Sequence, residues 1–127
     1  MPRYNKNNIK ELQDFLYNSY VHDAKIEYFQ YNCKDDNIKI ELINPIFDIR
    51  ISLTFLDIEI ALNIKSEWSG NRETILSLTA EEDFSYLQKY LIKYSEYTED
   101  SLYLLFQMFS GDELHIVAKE VVIEIVG

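Results

Sequence analysis

The chain has 127 residues, 47% of them apolar, a net charge of −10, one Cys, two His and three Gly. The length suits a single domain over 1–127, able to bury roughly two thirds of its unfolded surface without a staple, and the lone Cys33 excludes an intramolecular disulfide. So acidic a surface repels nucleic acid and anionic lipid, and no apolar run approaches the roughly 20 residues that span a bilayer as a helix.

The polar start, Met1-Pro2-Arg3-Tyr4-Asn5-Lys6, has no apolar run behind it. A secretory signal is not expected, which makes a cytoplasmic setting the default. Residues 1–8 read as a frayed end. Ile9, Leu12, Phe15 and Leu16 fall on one face at helical spacing and predict a helix over 9–17, capped by Asn7 or Asn8.

The first strand is expected over 24–32. Its apolar set changes parity between Ile26 and Phe29/Tyr31, which requires a bulge or a sheet covered on both faces. Cys33-Lys34-Asp35-Asp36-Asn37 is a polar turn. Ile38, Ile40 and Leu42 alternate with Lys39 and Glu41, marking an antiparallel second strand that Asn44-Pro45 ends. Ile49, Ile51, Leu53 and Phe55 alternate next, and the pattern then flips to Ile58, Ile60, Leu62 and Ile64. One strand over 49–56 is expected, with a bulge or turn at Leu56-Asp57 and a continuing or separate strand to Ile64. A loop follows over 66–71 and a short strand over 74–79.

Glu81-Glu82-Asp83 reads as the first turn of a second helix reaching Tyr94, with acids at the positive end of its dipole. Thr79 and Glu82 have the spacing of a capping box. Leu102–Phe109 is apolar except at Gln107, the look of a strand buried on both faces. After Ser110-Gly111-Asp112 a second long run, 114–125, flips parity between Ala118 and Val121; the two runs predict a hairpin. The expected fold class is therefore α+β: a single curved antiparallel sheet of about six strands, an N-terminal helix, and a second helix before the C-terminal hairpin.

Candidate chemistry is sparse. His22-Asp23 could supply a general base held by a carboxylate, or a turn. Glu113 and His115, two apart on one strand face, could join Asp112 in a polar or metal-binding site if His22 converged with His115. Cys33 lacks the cationic surroundings of a reactive thiol, Asp35-Asp36-Asn37 lacks the spacing of a calcium loop, and no cofactor or metal motif appears. Tyr86, Tyr90, Tyr94 and Tyr97 recur at i, i+4, i+8 and i+11 beside Glu96, Glu99 and Asp100. That aromatic, acidic ridge is either a cover for the sheet or a partner-binding surface, tyrosine being favoured at interfaces. The charge is uneven: residues 1–72 carry −2 and residues 73–127 carry −8, a field that steers a basic partner toward the C-terminal half.

Two segments carry a resemblance: His22-Asp23-Ala24-Lys25-Ile26, and Phe109-Ser110-Gly111-Asp112-Glu113-Leu114-His115-Ile116-Val117-Ala118-Lys119-Glu120-Val121. The chain resembles small uncharacterised bacterial α+β proteins of the Firmicutes type, some of them similar to immunity proteins of polymorphic toxin systems. The resemblance implies an inhibitor-like or structural role and brings no catalytic residues with it. The sequence thus points to a non-catalytic protein-binding module, an immunity-type inhibitor of a basic toxin. The alternatives are a metal-dependent or small-molecule-binding enzyme-like protein using His22 and His115, and a self-associating structural protein whose apolar 102–109 strand is covered in a homodimer.

Overall fold

A computed structural model describes residues 2–18, 20–66, 74–90, 97–98 and 100–126. Ten elements follow one another: β1 (Arg3–Tyr4), a 3₁₀ turn (Lys6–Asn8), α1 (Ile9–Asn18), β2 (Lys25–Asn32), β3 (Asn37–Asn44), β4 (Ile49–Ile64), β5 (Ile75–Glu81), α2 (Ser85–Gln88), β6 (Leu102–Met108) and β7 (Glu113–Val126). The strands form one antiparallel sheet in the order β2-β3-β4-β7-β6-β5, with β1 also pairing β7. The α+β class holds. The strand number is seven where about six were expected, because β1 is too short to carry any periodicity.

Residues 3–8 are therefore built into the fold and not frayed. Tyr4 is buried against the core, Arg3 pairs with Glu120 at 2.7 Å, and the chain then turns through Asn5 and Asn8. The cap lies at Asn5, earlier than Asn7 or Asn8: its Oδ1 accepts from the Asn7 N–H at 2.8 Å, while the Asn5 N–H donates to Asn8 Oδ1 at 2.7 Å. This reciprocal pair satisfies two otherwise orphaned groups. In α1, Ile9, Leu12 and Leu16 are buried and Phe15 packs beside them, as the helical spacing requires.

In β2 the parity change is a bulge, since the register with β3 shifts between Ile26 and Tyr28. Its side chains are exposed or half-buried along its length, so the strand is an uncovered edge. Alternation in β3 buries Ile38, Ile40 and Leu42. Asn44 ends it by donating from Nδ2 to the Tyr20 carbonyl at 2.9 Å and accepting the Ile46 N–H at 3.0 Å.

The two runs over 49–64 are one 16-residue strand, β4. Phe55 and Ile58 both face the main core because Asp57, between them, takes φ +55°, a left-handed conformation that Asp tolerates better than most residues. The paired stretch of β7 flips with it, so Ala118 and Val121 both face inward. A second shift at Glu59 turns Ile60 and Leu62 to the opposite face.

Around β6 the sheet is buried on both sides. Leu102, Leu104, Phe106 and Met108 face the main core with α1, while Tyr103 and Leu105 face a smaller cluster with Phe84, Leu87 and Val117. The chain itself thus covers both faces of its most apolar strand, which removes the reason for expecting a second subunit there. The expected helix start is also displaced. Glu81 closes β5, the Thr79 hydroxyl donates to Glu81, and the Asp83 carboxylate accepts the Ser85 N–H at 2.8 Å. That contact and the Thr79–Glu81 bond replace the predicted capping box. The 91–94 part of the predicted helix and most of the predicted 66–71 loop lie outside the described residues.

The two outermost strands of the order, β2 and β5, approach each other at one end. Lys25 and Thr74 form a single bridge, the Ile75 N–H donates to the Ala24 carbonyl at 2.8 Å, and the Asp23 N–H donates to the Ile75 carbonyl at 2.9 Å. The sheet curls far enough to touch itself there, and among the described residues it does not close.

Candidate functional site

His115 lies on the β7 face that carries the smaller cluster. It is fully buried, with both ring nitrogens engaged: Nδ1 is 2.7 Å from Tyr103 Oη and Nε2 is 3.1 Å from Glu113 Oε1. The hydroxyl of Tyr86 donates to the other oxygen of Glu113, and Tyr90 Oη is 3.3 Å from Tyr86 Oη. The rings of Tyr86, Tyr90 and Tyr103 surround the imidazole at centroid distances of 5.7, 5.4 and 5.7 Å.

One proton arrangement satisfies every member. Tyr103 donates to Nδ1, a neutral imidazole donates from Nε2 to Glu113, Tyr86 donates to the same carboxylate, and Tyr90 donates to Tyr86. Among the described residues no buried side-chain nitrogen or oxygen lacks a partner. The chain Tyr90–Tyr86–Glu113–His115–Tyr103 runs from the surface, where Tyr90 is 41% exposed, to the interior.

Both inner tyrosines are held in their protonated form. The hydrogen bond to Glu113, reinforced by the one to Tyr90, raises the Tyr86 phenol well above its usual range. Burial raises Tyr103, with Glu81 and Glu113 adding to it. A phenol whose folded pKa lies above its unfolded value of about 10 gives stability that is complete below pH 10 and lost as pH climbs toward the folded value. The urea midpoint should therefore fall between pH 9.5 and about 11.5, and Tyr86→Phe should flatten that fall. An unchanged slope in Tyr86→Phe would contradict the assignment.

The other predicted residues are distributed elsewhere. Tyr97 stacks on Phe84 at 5.0 Å with the rings 3° apart, roofing the same cluster. Asp100 is exposed and 3.6 Å from Lys119; the Thr98 hydroxyl first, then Lys119, hold its carboxyl below the usual range. Tyr94, Glu96 and Glu99 lie outside the described residues. Asp112 turns away from Glu113 and accepts the Ser66 N–H at 2.7 Å, tying the β6–β7 turn to the end of β4.

His22 is exposed, 3.9 Å from Asp23 and stacked on Phe109 with centroids 6.3 Å apart. Asp23 takes φ +70° in the turn that feeds β2. The two imidazoles thus have different neighbours, and among the described residues no three His, Cys, Asp or Glu side chains come together as a metal site. Cys33 is an exposed thiol.

Sequence reasoning paired Glu113 with His115 correctly by face but did not connect either with Tyr86 or Tyr90, and it missed Tyr103. The signal was present. With Leu105 opposite His115 and Tyr103 opposite Val117, Tyr103 and His115 are diagonal neighbours on one face, and a Tyr within an apolar strand needs a partner for its hydroxyl. Among the described residues no helix is long and apolar enough to cross a membrane. No protein-family model matches the chain, and no curated protein matches it significantly.

Proposed function

We propose that this chain is a non-catalytic protein-binding module, an immunity-type inhibitor whose partner is a basic protein. The observation that carries this reading is β2: an edge strand exposing Tyr28, Phe29 and Tyr31 at 42%, 48% and 47%. Rings left in water on a strand edge cost free energy that a partner surface recovers. The adjoining end of the sheet extends the same surface, where Phe47 and Tyr20 pack ring to ring at 4.7 Å and both remain exposed. The net charge of −10 supplies steering for a cationic partner. The imidazole and carboxylate of the His115 network, by contrast, are spent on one another, which suits a rigid scaffold.

Affinity capture from the source organism tests the reading. At low salt the wild-type chain should retain a basic protein that elutes as salt is raised, and a Phe29→Asp, Tyr31→Asp variant should lose it. Retention of no protein at low salt, or equal retention by the variant, would sink the proposal.

A further inference from the structure

The outer edge of β5 offers a second surface, of a different kind. β5 pairs with β6 on one side, and among the described strands no ladder forms on its other side. α1 runs beside that side, and its Gln13 reaches the Ala80 carbonyl. Between them lies a groove of about 540 Å³ walled by Leu16, Tyr17 and Val21 on the α1 side and by residues 76–81 of β5, with the polar side chains of Gln13, His22, Ser77 and Thr79 among its lining.

The direction of the backbone groups can be read from the bonds they make. Ile75 turns both its N–H and its carbonyl outward, to Ala24 and Asp23. The Ala80 carbonyl also points outward, because it accepts from Gln13 Nε2 at 2.9 Å. The register with β6 shifts between Ile75 and Ser77, so beyond the shift the side is counted from Ala80: residues two apart in a strand present their backbone to the same side, and the N–H and carbonyl of Leu78 therefore face the groove with the N–H of Ala80. Gln13 holds one position of this ladder as a side-chain substitute for a strand.

We infer that this groove is a strand-addition site: an extended, cationic segment of a partner polypeptide adds to β5 and packs one face of its side chains against α1. Each feature of the occupant has its own cause. The open ladder positions require an extended backbone, since only a strand matches their spacing. Tyr17 and Leu76, the exposed apolar side chains of the two walls, favour apolar side chains on one face of the occupant. The charge comes from the rim. Glu81 lines one end of the groove, and Glu82 and Asp83 follow it in sequence. Lys10 is already paired with Glu82. A groove between an edge strand and a helix gives affinity through the main chain and selects sequence through the pockets.

The inference rests on the protein-binding reading but concerns a surface apart from β2, and the experiment separates the two. The isotope-labelled full chain would be titrated with the peptide acetyl-Lys-Val-Lys-Val-Lys-Val-Lys-amide and followed through its backbone amide resonances. Shifts should concentrate in Leu76–Glu81 and in the 13–21 segment. Methylating alternate peptide nitrogens, which removes the donors along one edge, should abolish binding in one of the two methylation frames. Replacing the peptide lysines with glutamates, or making Glu81→Lys in the protein, should weaken binding by at least about threefold. Gln13→Ala should bind at least as well as wild type, because it frees the Ala80 carbonyl.

Shifts that map to β2, binding indifferent to methylation in both frames, or no binding at millimolar peptide would overturn the inference. Capture of a basic protein through Phe29 and Tyr31 alongside any of these results would leave the protein-binding reading standing and remove only the groove.

Discussion

Phe106→Ala should cost about 3–5 kcal/mol of stability, the usual penalty for emptying a well-packed aromatic site. Phe106 is fully buried in β6, between β5 and β7, and its ring meets Phe55 edge-on at 6.3 Å and 63°. Its backbone partners are Leu78 on one side and Leu114 on the other, so the cavity would open among β4, β5, β6 and β7 together. Such a loss is a large share of the roughly 5–15 kcal/mol that holds a domain folded. Urea unfolding followed by circular dichroism would give the value. Phe106→Leu should cost far less because it keeps most of the volume, and a Phe106→Ala penalty below about 1 kcal/mol would mean that the two phenylalanines do not anchor the core.

The second large effect is expected at Glu113. Its carboxylate takes protons from two directions, from His115 and from Tyr86. Glu113→Ala leaves the Nε2–H of a fully buried imidazole without an acceptor and should cost about 2–3 kcal/mol, the range for losing a hydrogen bond to a charged group and stranding a buried donor. Glu113→Gln should cost less, since an amide oxygen still accepts from His115 while Tyr86 can turn its hydroxyl toward Tyr90. The order Ala worse than Gln tests the proton arrangement; equal penalties would refute it. A cycle combining Glu113→Gln with Tyr86→Phe should show strong non-additivity, because the two side chains share one bond.

The parts of this fold that could be read in advance are those where a single periodicity persists. Ile38-Ile40-Leu42 and Ile49-Ile51-Leu53-Phe55 keep their parity, and both runs pair as expected with the same faces buried. Leu102–Met108, apolar except at Gln107, is indeed buried on both sides. Where parity broke, the sequence showed that something happened but not what. The flip after Phe55 is a left-handed Asp57 within a continuous strand, and the flip before Phe29 is a bulge on an edge. These outcomes depend on the neighbouring strand, which no local pattern specifies.

The second helix misled for a related reason. The acids at 81–83 look like a helix N-terminus, yet Leu78 and Ala80 gain more by staying in register with β6, and helical dihedrals begin only at Ser85. Tertiary pairing outweighed local propensity. In the site, faces were legible and elements were not. Glu113 and His115 were paired two apart, but their partners come from other elements: Tyr103 from the neighbouring strand β6, and Tyr86 and Tyr90 from α2 and the turn after it.

The contact between Lys25 and Thr74 sets how this molecule opens. Among the described residues this junction consists of one bridge and the bonds around Asp23, Ala24 and Ile75, whereas β4 and β7 share a long ladder. Parting these few described links would leave the long β4–β7 ladder intact, so opening at this point should cost less than separating the centre of the sheet. Among the described residues, the curled sheet is in effect a cuff held by one clasp.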